Sequence, residues 1–383
     1  MLSSLCHQAE GERLHGESEG RYIQSLLGNG AKHTSKVDGN CRKSQLQSTL
    51  KSFQQALATA KAHHNRVEQV NILKRIGLIH CSLGEYAWGI KCLEQALQIA
   101  AAIANPTSTG VILNYLGAAY RQTGQECRAL RVYLQALRIF KKLGNQTVVA
   151  RILNRLGEIY KSLGEAESAL IACRQALQTF QDLGHLSDGE GATLHNMGEV
   201  YLQLGRPRQA IALFKQALFI RQKIRHYNSE AMTLESIGTA YVQLNQELRG
   251  LEFYQRALKI RQDLGTLPHS LARNLNYIGA VYYKLGNYSL AIQHHLKAVG
   301  ILQSCDRTSN NTIFLWDTGN SEKLLHHLVS VYESLDLHKQ GVKCYHQALD
   351  IVRTFGINAG EEAIWNYFAQ EIRAASSGME ILV

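Results

Sequence analysis

One short pattern returns along this chain at a nearly constant interval, and it constrains the fold more than any other feature of the sequence. A glycine that follows a large apolar residue falls at Gly77, Gly117, Gly157, Gly198, Gly238 and Gly279, at intervals of 40 or 41 residues. An Ala followed by Leu or Val falls 19 residues after each of them, as at Ala176. Repetition at this interval predicts an array of similar structural units.

Each repeat unit contains two stretches in which apolar residues follow helical spacing. In the third unit the first stretch runs through Leu153, Leu156 and Ile159, and the second through Ala169 and Cys173. Gaps of three or four residues place such side chains on one face of a helix. Each unit is therefore predicted to be a helix pair, and the chain is predicted to hold seven units after a leading half-unit.

Two kinds of small residue have separate roles in this pattern. Gly164 lies between the two stretches, and Asn245 and Asp336 replace that glycine in the fifth and seventh units. Gly, and less readily Asn and Asp, adopts the left-handed conformation that ends a helix, so these positions are predicted to be turns. Gly157 and Ala169 lie within helices, where a larger side chain would force the two helices apart.

The pairing of Leu-Gly and Tyr on the first helix with Ala-Leu and Ala on the second resembles the tetratricopeptide repeat, over about residues 44–355. The unit is longer than the usual ~34 residues. This longer form is similar to the repeats of kinesin light chains, of spindle adaptors with Leu-Gly-Asn repeats and of bacterial regulatory arrays. The resemblance implies an all-α fold, an α-solenoid with a right-handed superhelix of about seven helix-turn-helix units. It also implies that the first helices line a concave groove.

The sequence predicts three segments. Residues 1–43 lack the repeat and are expected to be irregular or disordered, residues 44–355 form the array, and residues 356–383 form a capping helix and tail. An insert at 303–320 separates the sixth and seventh units. Its apolar run at 313–316 is expected either to fold back against the last hairpin or to act as a docking motif.

The net charge of +10 raises the question of nucleic-acid binding. Many basic residues, such as Arg138, Arg221 and Arg261, fall on second helices among Gln and Glu, which predicts solvated outer faces. No repeated side-chain code or set of stacking aromatic residues accompanies them, as base-reading arrays require. The sequence therefore favours a protein partner over nucleic acid.

The resemblance also indicates which residues face a ligand. The groove positions lie six and three residues before the repeat glycine and one, four and five residues after it. The candidate groove residues are Asn114, Arg121, Arg151, Asn154, Glu158, Lys161, His195, Glu199, Glu235, Arg273, Asn276 and Lys284. Their charges form a basic end, an acidic middle and a second basic end, so the predicted partner is an acidic or mixed-charge peptide segment.

The Asn that recurs three residues before the glycine, at Asn114, Asn154 and Asn276, allows two interpretations. Its amide carries both a donor and an acceptor, so it is able to bond the backbone of an extended peptide or a side chain of the neighbouring repeat. On the first interpretation, replacing Asn154 together with Arg151 by Ala abolishes partner binding and leaves stability nearly unchanged.

The sequence holds no nucleophile elbow, phosphate-binding loop, zinc-protease helix or paired metal ligands. We therefore expect a non-enzymatic adaptor without a cofactor or metal. The alternative is a regulatory sensor whose superhelix changes shape when it binds a peptide. Both are expected to be cytoplasmic and not inserted in a membrane, because no stretch approaches ~20 apolar residues and the eight cysteines form no Cys-x-x-Cys pair.

Overall fold

A computed structural model describes residues 39–301, except 185–186, 266–267, 288–289, 292, 296 and 299, with side chains described from residue 44. The predicted insert, seventh unit and capping helix lie outside the described residues. Helix α1 begins at Gly39, inside the segment predicted to be irregular. The rest of that segment also lies outside the described residues.

All regular secondary structure in the described part of the chain is helical. The helices are α1 (Gly39–Ala62), α2 (Arg66–Ser82), α3 (Tyr86–Ala102), α4 (Pro106–Gln122), α5 (Glu126–Lys142), α6 (Gln146–Ser162), α7 (Ala166–Asp182), α8 (Asp188–Gln203), α9 (Pro207–Lys223), α10 (Tyr227–Gln243), α11 (Glu247–Asp263) and α12 (Pro268–Lys284). The prediction of an all-α array is confirmed, since each of the first five repeats is one pair of 16- or 17-residue helices, beginning with α2 and α3.

The chain divides into two compact units, Met1–Val200 and Tyr201–Val383. In the first unit, the two helices of a repeat pack together, as α6 does with α7, and each pair packs against the next through α3 with α4 and α5 with α6. The apolar core between them includes Leu93, Leu116, Tyr133 and Leu156. Burial between neighbouring repeats is what stabilises such an array, because one hairpin cannot bury both of its apolar faces.

The second unit repeats this packing in α9–α12, where α9 packs on α10, α10 on α11 and α11 on α12. One core cluster is built around Phe214, Leu234 and Ile237. Another is built around Tyr254 and Ile278, with the rings of Tyr254 and Tyr277 stacked at 5.2 Å.

The turns follow the predicted chemistry at most positions. Gly164 has a φ of 78°, and Asn245, predicted to replace the turn glycine, has a φ of 54°. Three turns, which close the leading half-unit, the first repeat and the fourth repeat, use residues that the repeat pattern does not predict there, since His64, Ala104 and Arg225 have φ values of 53°, 50° and 55°. The left-handed conformation is costly for most residues other than Gly, Asn and Asp, so tertiary packing rather than local preference sets these three turns.

Asparagine begins three of the first helices. The side-chain oxygens of Asn65, Asn105 and Asn145 accept hydrogen bonds from the backbone N–H groups three residues later, at 3.1, 2.9 and 3.2 Å. Such caps satisfy N–H groups that have no partner within the helix. They set the starts of α2, α4 and α6 at intervals of 40 residues.

The two helices of a repeat meet where the sequence predicted. An added Cβ at Gly157 would lie 2.3 Å from Sγ of Cys173 and 3.4 Å from the carbonyl oxygen of Ala169. Ala169 and Ala176 are fully buried. The repeat glycine is therefore required by the close approach of α6 and α7.

The expectation of solvated second helices is wrong at two arginines. Arg221 and Arg261 are 1% and 4% exposed. Both lie 23 residues after the repeat glycine, at the position that Phe140 and Phe180 occupy in the first unit. The spacing that buries Phe in one unit therefore buries Arg in the other, and each Arg is held by partners that sequence periodicity does not show.

Candidate functional site

In the first compact unit, polar residues at the predicted groove positions bond to one another between the first helices of successive repeats. The Glu158 cluster consists of Arg121 on α4, Asn154 and Glu158 on α6, and Asn196 on α8. Arg121 forms an ion pair with Glu158. Asn196 Nδ2 donates at 3.0 Å both to Oδ1 of Asn154 and to Oε1 of Glu158. Three consecutive repeats are thus joined by one set of polar contacts.

The Glu199 cluster consists of Lys161 on α6 and His195 and Glu199 on α8. Lys161 pairs with Glu199, and Nε2 of His195 lies 3.2 Å from Oε1 of the same carboxylate. Burial raises the pKa of Glu199, but the hydrogen bonds and positive charges of His195 and Lys161 outweigh it and lower that pKa to about 2. The carboxylate is therefore held ionised within the folded array.

This lowered pKa predicts an acid-dependent loss of stability. Between pH 4.5, the ordinary pKa of the group, and about pH 2, the unfolded chain binds more protons at Glu199 than the folded chain does. The contribution of Glu199 is thus present above pH 4.5 and is lost as the pH falls through this window. We expect Glu199→Gln to be less stable than wild type at pH 7, with a difference that shrinks towards pH 2. Urea unfolding at several pH values measures it, and exposed Glu165→Gln is the control, for which an equal pH dependence would contradict the assignment.

Two candidates of the first unit are not used by these clusters. Arg151 on α6 is exposed, and Asn114 on α4 is half-buried. Neither side chain forms a hydrogen bond or ion pair with a described residue. They are the predicted groove residues of this unit whose polar groups remain available to a ligand.

In the second unit, buried charges converge on Glu235, which is 4% exposed. Its Oε1 accepts from Nε of Arg261 at 2.6 Å and from Nδ2 of Asn274 at 3.0 Å, and its Oε2 lies 3.4 Å from Arg273. We call these four residues the Glu235 cluster. It joins α10, α11 and α12, so the predicted acidic centre of the groove is internally neutralised.

Asn276 and Lys284 complete the predicted set. Lys284 is exposed at the end of α12. Asn276 is 4% exposed, and its side-chain oxygen accepts no hydrogen bond from a described residue. Such an orphaned acceptor costs free energy unless a ligand or water bonds it.

The two interpretations of the recurring Asn divide by position. Asn154 bonds the neighbouring repeat through Asn196, whereas Asn114 does not bond a described residue. Sequence reasoning missed Asn196, Arg261 and Asn274, because a spacing pattern shows which face a residue occupies and not which partner it reaches. Two of the ion pairs nevertheless follow a spacing that is visible in the sequence. In Arg121–Glu158 and Lys161–Glu199, the basic residue lies four residues after one repeat glycine and the acidic residue lies one residue after the next.

Within the described residues, no group of three or more His, Cys, Asp or Glu side chains is placed to hold a metal ion. The described helices also include none with the length and apolar character needed to cross a bilayer.

The sequence profile described as "Tetratricopeptide repeat" matches residues 68–142, 148–223 and 229–304, which together make up more than half of the chain. The chain belongs to the tetratricopeptide repeat family. The first two matched segments each span two consecutive helix pairs, α2–α5 and α6–α9, in agreement with the repeat glycines. No curated protein matches the sequence.

Solved structures of tetratricopeptide repeat proteins share this fold. BtubC (BKLC) from P. vanneervenii is 23% identical, with 58% of this chain and 93% of that one covered and a TM-score of 0.51. A tetratricopeptide repeat protein from Parabacteroides merdae is 16% identical, with coverage of 78% and 96% and a TM-score of 0.51. A Rap protein complexed with competence and sporulation factor is 11% identical, with coverage of 88% and 99% and a TM-score of 0.50. At these identities the likeness concerns the fold alone.

Proposed function

We propose that this chain is a non-enzymatic scaffold that binds an extended segment of a partner protein along the first helices of its repeats. The fold of the family generally serves as such a scaffold. The observation that carries the proposal is the pattern of bonding in the first unit. The Glu158 and Glu199 clusters fix a row of polar groups between α4, α6 and α8, and the polar groups of Asn114 and Arg151 on α4 and α6 bond no described residue.

In this arrangement, the clustered residues position the helices, and Asn114 and Arg151 contact the partner. The clustered residues hold the helices in register, so a partner meets a prearranged surface and little ordering is required of the array. Asn114 offers a donor and an acceptor to a peptide backbone, and Arg151 offers a planar cation to a carboxylate. An acidic or mixed-charge segment fits best, because the anionic groups of the two clusters already have cationic partners.

Arg151→Glu tests the proposal. Arg151 is exposed and bonds no residue in the described part of the chain, so we expect the free energy of unfolding to change by less than about 0.5 kcal/mol. We expect at least a tenfold loss of the partner proteins captured from cell extract by the immobilised full chain, quantified by mass spectrometry. Exposed Arg138→Glu on α5 makes the same charge change outside the site and is the matched control.

The result that contradicts the proposal is a set of captured proteins that responds equally to Arg151→Glu and Arg138→Glu. Asn154→Ala is unsuited to this test, although the sequence alone made it the natural choice. Its side chain is buried and accepts a hydrogen bond from Asn196, so the variant is expected to lose stability as well as binding.

A sensor that changes shape on binding is the alternative of another class. Ion pairs between repeats are able to rearrange when a ligand competes for one partner, as Lys161 and Glu199 would if a carboxylate approached Lys161. Small-angle scattering with a captured peptide distinguishes the two functions. A profile that does not change supports the scaffold, and compaction supports the sensor.

A further inference from the structure

A cavity of about 690 Å³ opens beside the turn between α8 and α9, in the second compact unit. It is lined by the end of α8, the start of α9 and the end of α10. Its volume lies within the range of sites that bind small ligands or single side chains of a peptide. Gln203 and Gln243 in its lining lie five residues after a repeat glycine, at predicted groove positions. Asn114 and Arg151, on which the site proposed above depends, do not line it and lie in the first compact unit.

The lining has an apolar part and a cationic part. Leu202, Pro207 and Leu244 are half-buried, whereas Arg206 and Arg208 are exposed. The apolar side chains therefore lie deeper than the two guanidinium groups. An occupant that satisfies both parts presents one apolar side chain together with a negative charge.

The two arginines are available for such an occupant. Neither side chain forms a hydrogen bond, ion pair or ring contact with another described residue, and no acidic side chain of the described part of the chain lines the cavity. Arg206 directly precedes α9 without capping it. At the same position, α3, α5, α7 and α11 are preceded by Glu85, Gln125, Glu165 and Gln246. Arg206 is therefore a specific feature of this turn and not of the repeat.

The amides of the lining add hydrogen-bonding capacity without charge. Gln203, Gln209 and Gln243 are exposed around the cavity, and their side chains do not bond other described residues. Glutamine carries both donors and an acceptor, so these side chains suit the backbone of an extended peptide. The apolar depth is less suited to a phosphodiester backbone, which has no apolar group to bury there.

We propose that this cavity is a second protein-binding site, which takes a partner segment with one large apolar side chain next to one or two carboxylates. The apolar side chain packs on Leu202, Pro207 and Leu244, and the carboxylates pair with Arg206 and Arg208. Aromatic or aliphatic anchors within a charged rim are the usual form of such contacts. Two binding sites on one chain would let the array hold two segments of one partner or two partners at once.

A displayed library of random dodecapeptides, selected on the full chain, provides the probe. We expect recovered peptides to combine an aromatic or aliphatic residue with neighbouring Asp or Glu. A recovered peptide, measured by fluorescence anisotropy, is expected to bind at least tenfold more weakly to the Arg206→Glu, Arg208→Glu variant. The matched control is Lys215→Glu, Lys259→Glu, which makes the same charge change at exposed positions of the second unit and is expected to bind within twofold of wild type.

Three results would overturn the inference. The first is equal weakening in the two double variants, which would show an effect of net charge alone. The second is tighter binding of a uridine 20-mer than of any recovered peptide, with the same dependence on Arg206 and Arg208, which would make the occupant a polyanion. The third is self-association that Arg206→Glu, Arg208→Glu abolishes, which would make the occupant a second copy. Unchanged peptide binding by Arg151→Glu distinguishes this site from the one proposed at Asn114 and Arg151.

Discussion

Replacing Glu235 by Gln is expected to destabilise the second compact unit by about 3–5 kcal/mol, the typical cost of leaving one charge of a buried pair uncompensated. Gln has the shape of Glu but lacks its charge, so the buried guanidinium group of Arg261 would lose its ion pair with Glu235. Hydrogen exchange measured by mass spectrometry is suited to the test, because it reports the stability of α10–α12 separately from that of the first unit.

Two further variants make this experiment specific. Arg273→Gln removes the more exposed cation of the Glu235 cluster, and we expect a loss of no more than about 1 kcal/mol. Glu235→Leu with Arg261→Met replaces the buried pair by apolar side chains, and we expect it to recover most of the lost stability. If Glu235→Gln exchanges hydrogen in α10–α12 as slowly as wild type does, Arg261 does not depend on this carboxylate.

Replacing Gly157 by Leu is expected to lower the stability of the first compact unit by about 3 kcal/mol, at the upper end of the usual cost of overpacking. Even a single Cβ at this position would lie 2.3 Å from Sγ of Cys173, and the next groups on that side belong to the backbone of α7. The helices have to separate to admit the side chain, and the contacts of α6 with the adjacent repeats are disturbed as a result. Hydrogen exchange in α6 and α7 measures the loss.

A compensating pair provides the control for Gly157. Gly157→Ala adds one carbon at the position of closest approach, and Cys173→Ala removes the sulfur that it meets. We expect the double variant to be more stable than Gly157→Ala alone. The gain of about 0.5–1 kcal/mol that Ala brings over Gly in a helix is common to both variants, so it does not affect the comparison. Equal stabilities of the two variants would show that the sulfur does not limit the approach.

The helical array was predictable because its determinants are local. Apolar spacing sets the faces of α6 and α7, Gly164 and Asn245 end helices by adopting positive φ, and Gly157 marks the close approach. The starts of α2, α4 and α6 were predictable in principle too. An Asn before an apolar stretch is a known start signal, and Asn65, Asn105 and Asn145 repeat it.

The chemistry of the candidate site was less accessible from sequence, because it depends on partners in other repeats. The face of the helix was correctly inferred for Glu158, but its bonds to Arg121 and Asn196 cross two repeat boundaries. Arg261 shows the same limit more strongly. The repeat pattern predicts that an Arg on a second helix is exposed to solvent. Arg261 is buried instead because it pairs with a buried carboxylate on another helix, which the pattern does not show.

The position 23 residues after the repeat glycine has a consequence for how this protein can be engineered or shortened. At this position, Phe140 and Phe180 make the packing between neighbouring repeats apolar in the first compact unit. Arg221 and Arg261 make it polar or ionic in the second compact unit. Grafting a module from one unit into the other would set a phenyl ring against Thr233 or Glu235, or a guanidinium group against an apolar wall. Modules of this array are therefore interchangeable in length but not in chemistry, and only excision that preserves matching neighbours should yield a folded product.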